Sequence, residues 1–199
     1  MGDTGLRRNA IRQKTQIIGF MKQYTESERQ EMDAQAKAER AAFFAKYPEC
    51  PISDEIECLN LIMKREFAEA ILRGEKTVEY RSYSQHYCNR LFDKKVQAYE
   101  PNIADEDIAD FEDFAAPLRV VKKIHFHNYE NSWWLDVEVV YNYICAPCKD
   151  DVDAIESEYG DSELREMQEE FDKKKTRTER PLFFFFALGE VLGTNLNKK

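Results

Sequence analysis

Lys64, Lys76, Thr77, Glu79, Arg81 and Tyr83 fall within one short stretch, and their types carry charge, donate hydrogen bonds or stack. A carboxylate beside a lysine keeps both groups ionised, and Arg81 adds a planar fork suited to gripping a phosphate or a carboxylate. Lys76 has two uses open to it, capping the carbonyls of a preceding helix or reaching into a cleft. The plainer reading of Lys76, Glu79 and Arg81 is an ion-pair network that closes one end of a sheet. Tyr83 and His86 offer a stacking face and a titratable ring for a base, although a lone surface histidine is ordinarily inert.

Two further groups have chemical spacing. Cys145-Ala-Pro-Cys148 has the two-residue gap of a zinc half-site, with His125, His127, Cys50 and Cys58 as the candidates to complete it. The lack of a second close cysteine pair argues for reduced, metal-free thiols, with Cys145 closing a strand and Pro147 making the turn. Trp133 and Trp134 begin a strand, so one points inward and the other outward. The outward one either stacks on a base or packs beneath the N-terminal helix, and the second is the more ordinary arrangement.

The elements that position these residues follow from periodicity. Ile56 to Met63 is an apolar run suited to a buried strand, and Glu66 to Arg73 is a short helix with Phe67, Ala70 and Ile71 inward. Gly74 ends that helix in a left-handed cap. Over Thr77 to Arg81 the side chains alternate, which places Thr77, Glu79 and Arg81 on one face and Val78 and Tyr80 on the core face. Lys64 then projects over the same rim as the turn, with Arg65 a second candidate for that place.

Upstream, Thr25 to Lys46 reads as a helix opened by a Thr25–Glu28 capping box and stopped by Pro48, with a thin apolar face of Met32, Ala36, Phe43 and Phe44. A weaker helical pattern runs through Ile11 to Met21. Downstream, Lys95 to Tyr99 reads as a strand, and an acidic loop or helix ends near Pro117. Val120 to His127 and Trp133 to Ile144 flank a polar break and should make the longest antiparallel pair. Asp161 to Lys174 is an amphipathic helix capped by Asp161 that buries Leu164, Met167 and Phe171. Leu182 to Leu188, with four consecutive phenylalanines, is a central strand.

Lys64, Phe67, Ala68, Ile71, Gly74, Lys76, Thr77, Glu79 and Arg81 together resemble the opening motif of the ASCH family. That resemblance implies an α+β fold, a small PUA-like β-barrel with short flanking helices over residues 52–197; residues 1–51 fall outside it and read, from their own pattern, as a helical N-terminal extension. It further implies recognition of RNA or a modified nucleoside in a cleft beside the motif, with Lys64, Lys76, Glu79, Arg81 and Tyr83 as binding residues. Some small relatives of the family hydrolyse the acetyl group of N4-acetylcytidine, using a lysine in the glycine turn, a threonine three positions later and a more distant acid. Here the lysine matches Lys76, but Glu79 stands at the threonine position. An amidohydrolase built on Lys76, Thr77 and Glu79 is therefore the alternative, with Thr77 or a bound water as nucleophile.

Composition bounds these readings. A net charge of -9 disfavours wrapping nucleic acid by overall attraction and leaves a local basic site as the way to bind it. Met1 to Gln23 is basic, whereas Asp105 to Asp113 and Asp150 to Asp172 are acidic runs that read as solvated faces. No apolar stretch has membrane-spanning length, no signal peptide is visible, and five cysteines are an odd set for a disulfide framework. The expectation is a cytoplasmic protein with no cofactor and no membrane partner, whose ligand is RNA or a nucleoside. A protein partner held through the N-terminal helix is a third possibility, since its narrow apolar stripe suits such docking.

Overall fold

The computed structural model describes residues 26–173 and 180–196, with side chains from residue 34 onward. The Thr25 cap, the Ile11 to Met21 pattern, the basic stretch Met1 to Gln23 and the side chain of Met32 lie outside the described residues. Among those described, the chain is mixed α and β, with seven helices and five strands in one sheet. Two compact units result, one drawn from residues up to 54 together with 89–119, the other from 55–88 and 120 onward.

The first unit is helical. α1 (Glu26–Lys46) carries Phe43 into a cluster with Cys50, Val96, Ile103, Phe111 and Ala115. Ala36 is exposed, so the packed face of α1 is its last turn, where Phe43 lies 5.8 Å from the Phe114 ring. Residues Lys95 to Tyr99 form no strand: helix Lys94–Tyr99 takes their place because the Asp93 carboxylate accepts from the Lys95 and Val96 amides at 2.9 and 3.4 Å. That cap satisfies the first free donors of a helical turn and overrides the weak strand pattern. Helix Ile108–Phe114 also belongs to this unit and buries Phe111.

The second unit holds the sheet. β1 (Leu59–Ile62), β2 (Val78–Ser82), β3 (Lys123–His127), β4 (Trp134–Cys145) and β5 (Phe183–Thr194) are ordered β1-β3-β4-β5-β2. β1 runs parallel to β3, and the other pairs are antiparallel. The sheet is a curled half-barrel. Phe184, Phe185 and Phe186 are all buried, as an interior strand covered on both faces requires. The longest pairing is β4 with β5, not β3 with β4, because β5 continues past Leu188 through Gly189 and Gly193 while register shifts in β4 absorb the irregularity. Two helices not both visible in the sequence, Lys149–Tyr159 and Glu163–Lys173, bring Val152, Ile155 and Leu164 against Tyr80, Tyr143 and Phe185.

β1 and β2 are consecutive in the chain yet lie at opposite edges of the sheet. They are joined by α2 (Arg65–Leu72), which buries Ala68 and Ile71. Its end is a glycine cap: Gly74 has φ +72, its amide donates to Ile71 O at 3.0 Å, and the Glu75 amide donates to Ala70 O at 2.9 Å. Only a residue without a Cβ penalty adopts that conformation freely, so the cap sets the direction in which β2 departs. Among the described residues no helix is long and apolar enough to cross a membrane.

Candidate functional site

The strap from β1 to β2 delivers its polar side chains to one cavity of about 400 Å³. Ile62, Met63 and Lys64 enter from the end of β1, Phe67 from α2, Lys76 from the glycine turn, and Glu79, Tyr80 and Arg81 from β2. Asn128 and Tyr129 from the β3–β4 loop and Glu163 from helix Glu163–Lys173 complete the lining. Of the residues that the sequence reading singles out, Lys64, Lys76, Glu79 and Arg81 thus share one cavity lining. That reading does not anticipate Glu163, Asn128 or Tyr129, which come from distant segments.

Glu79 sits at the centre. Its register partner is Phe186 on β5, so its side chain shares the covered face of the sheet and is 6% exposed. Arg81 Nη2 donates to Glu79 Oε1 at 2.8 Å, and Lys76 Nζ lies 3.6 Å from Oε2. Burial pushes the Glu79 carboxyl upward in pKa against the pull of Arg81 and Lys76, with Glu163 adding to the rise. Lys76 and Arg81 lie beside this carboxylate as expected from sequence, and its burial opposes their pull.

Arg81 ties the two edges of the sheet: Nη2 also donates to the Ile62 carbonyl at 3.0 Å, linking β2 to the end of β1. Its Nε is buried and has no hydrogen-bond acceptor among the described groups. Lys76 is largely buried and bridges Glu79 to Glu163 Oε2, 3.3 Å away. The half-exposed Phe67 ring lies 5.8 Å from Lys76 Nζ and 5.9 Å from Lys64 Nζ, an aromatic face flanked by two ammonium groups. Lys64 itself is mostly exposed at the rim, 3.6 Å from Glu66. Arg65 instead pairs with Glu69 at 2.7 Å and does not line the cavity.

Three candidates, Thr77, Tyr83 and His86, are not part of the cavity lining. Thr77 Oγ1 donates to the Tyr159 carbonyl at 3.1 Å, so its hydroxyl anchors the strand start to the end of a helix and does not face Glu79's surroundings. The hydroxyl is already engaged, and alternation alone does not show that. Tyr83 stacks on Phe184 with centroids 5.2 Å apart, and burial pushes its hydroxyl up to about 12. One residue past the end of β2, it follows the sheet instead of the cavity. His86 packs edge-on against Tyr87.

The remaining polar residues singled out by sequence lie elsewhere. Cys145 ends β4 and is buried, while Cys148 contacts the Asp151 carboxylate at 3.5 Å. Trp133 is buried, and Trp134 is half-buried and stacked on His125 at 5.9 Å.

Chemically, the cavity presents donors on Arg81, Lys76, Lys64 and Asn128, acceptors on Glu79 and Glu163, and aromatic faces on Phe67 and Tyr129. Such a mixture suits a flat polar ring with both donors and acceptors at its edge. No protein-family model, curated protein or solved structure matches this chain.

Proposed function

We propose that the protein is an ASCH-like domain of PUA type that binds a modified nucleoside, free or within RNA, in the cavity between the strap and the β3–β4 loop. The observation that carries this reading is Arg81: it lines the cavity, it is locked to Glu79 and Ile62, and its buried Nε–H lacks an acceptor. Arg81 and Lys76 both line the cavity, and a charge-assisted hydrogen bond from either to a ligand oxygen is commonly worth about 1.5 to 3 kcal/mol. The cavity volume suits a nucleoside, and Phe67 and Tyr129 supply faces on which a base stacks. Mixed charge in the lining favours reading of a polar base edge over capture of a phosphate backbone by net attraction.

Hydrolysis fits less well. Lys76 contacts two carboxylates, and the nearest sequence candidate for a nucleophilic hydroxyl, Thr77, is bonded to Tyr159. Titration calorimetry of the protein with a panel of free modified nucleosides and short single-stranded RNAs tests the reading. Saturable binding should appear and weaken by about 1.5 to 3 kcal/mol in Arg81→Lys, which keeps the charge but loses the fork. Phe67→Ala should weaken it by about 1 to 3 kcal/mol through lost stacking. Binding indifferent to both substitutions would remove the cavity from the argument. Turnover of N4-acetylcytidine by the wild type, abolished in Lys76→Ala, would replace binding with catalysis.

A further inference from the structure

On the face of β3 where Lys123, His125 and His127 point, both imidazoles are half-buried and neither belongs to the cavity lining. Their ring centroids lie 5.6 Å apart, tilted by 33°. His125 Nδ1 is 2.5 Å from Asp136 Oδ1, and His127 Nδ1 is 2.9 Å from the Asn128 carbonyl oxygen. Both partners are acceptors, so Nδ1 carries the hydrogen in each ring and Nε2 of the neutral imidazole keeps its lone pair. Among the described residues no hydrogen bond engages either Nε2. Asp136 is itself held at its other oxygen by Lys123 Nζ at 3.1 Å, and Trp134 stacks on the His125 ring.

We propose that His125 and His127 form a binding site for one divalent transition-metal ion of the kind that favours imidazole nitrogen, such as Ni2+, Cu2+ or Zn2+. Alternation on a strand places residues i and i+2 on one face, and the spacing of the two rings leaves room for a shared ion. Two imidazoles bound through Nε2 at about 2.0 to 2.1 Å in tetrahedral geometry have centroids roughly 5.2 Å apart, close to the spacing found. A hydrogen bond from the other ring nitrogen to a carboxylate and to a backbone carbonyl is the usual support for a metal-binding histidine, because it fixes tautomer and ring orientation. Among the described residues no group of three or more His, Cys, Asp or Glu side chains gathers to hold an ion. The site is therefore a two-nitrogen one whose other positions go to water or an exogenous ligand. The inference stands apart from the nucleoside reading, since none of these side chains lines the cavity.

The test is calorimetric titration of the metal-stripped full chain with Ni2+. His125→Asn and His127→Asn keep an amide donor near the Nδ1 position and remove the coordinating nitrogen. Each should abolish a one-to-one binding event seen in the wild type, with an unchanged circular dichroism spectrum. Asp136→Asn, which leaves both imidazoles, should weaken Ni2+ binding about tenfold or more. In NMR spectra, bound Ni2+ should broaden the Trp134 indole resonance of the wild type and leave it sharp in His125→Asn. Absence of Ni2+ binding by the wild type, or binding that survives both histidine substitutions because thiols hold the ion, would overturn the proposal.

Discussion

Glu79 on β2 and Asp136 on β4 are each held between two basic side chains, Lys76 and Arg81 around the first, Lys123 and His125 around the second. Their titration nevertheless moves in opposite directions. For Glu79 burial is the largest influence and raises the pKa past what the two cations can offset. For Asp136 burial also pulls upward, but the hydrogen bonds from His125 and Lys123 outweigh it and the pKa falls. The difference lies in the walls: Glu79 faces Phe186 across the pair, whereas Asp136 lies opposite His125 on a half-solvated face. Similar ion-pair partners thus yield a strained carboxylate at the cavity and a relaxed one on the outer surface.

The largest test of that contrast is Arg81→Met. Removing Arg81 leaves Lys76, 3.6 Å away, as the one cation offsetting the burial of Glu79, and the loss in urea-unfolding free energy should be about 3 kcal/mol at alkaline pH. It should shrink at acid pH, where Glu79 takes up a proton. An equal loss at both pH values would show that Glu79 is not the group under strain.

The sign of pH dependence separates the two carboxylates further. A raised folded-state pKa means that the folded form binds the proton more tightly, so Glu79 contributes stability at low pH that is lost as pH rises from the ordinary glutamate range through its elevated value. Glu79→Gln should flatten that fall in a series of melting curves. Asp136 acts the other way, contributing stability above the ordinary aspartate range that is lost as pH drops through its lowered value.

Glu112 of the helical unit sharpens the comparison, because its neighbours are acidic. Burial raises its pKa to about 7, with Glu100 and Asp113 adding repulsion. Stability should therefore fall as pH climbs from the ordinary glutamate range through about 7. Glu112→Gln should recover around 1 kcal/mol near pH 8 once its half exposure screens the penalty. Smallest of all, Asp136→Asn should cost about 1 kcal/mol near neutral pH, as ion pairs still reached by solvent usually do. A loss matching that of Arg81→Met would erase the distinction between the two sites.

What the sequence made legible was local. The glycine cap at Gly74, the buried Val78 and Tyr80 of the Thr77 to Arg81 stretch, the inward Leu164 and the buried phenylalanines of β5 each follow from spacing within a few residues. Hidden were the features created by pairing. Glu163 reaches Lys76 only because a helix after β4 crosses the sheet, and Asn128 enters the cavity only because β3 lies beside β1. Burial of Glu79 was invisible for the same reason: alternation assigns it to the polar face, and the cross-strand Phe186 turns that face inward. Asp93 misled differently, since a single capping carboxylate converted an apparent strand at Lys95 to Tyr99 into a helix.

The placement of β1 and β2 at opposite edges of the sheet also has a kinetic meaning. The strap between them is continuous in sequence, but Arg81 can meet Ile62 only after β3, β4 and β5 have assembled between the two edges. Contacts that wait on so many long-range pairings are expected to form after the rate-limiting step. Substitutions at the Arg81–Ile62 closure should therefore speed unfolding while leaving the refolding rate nearly unchanged, and the cavity should be the last part of the molecule to mature as the chain folds.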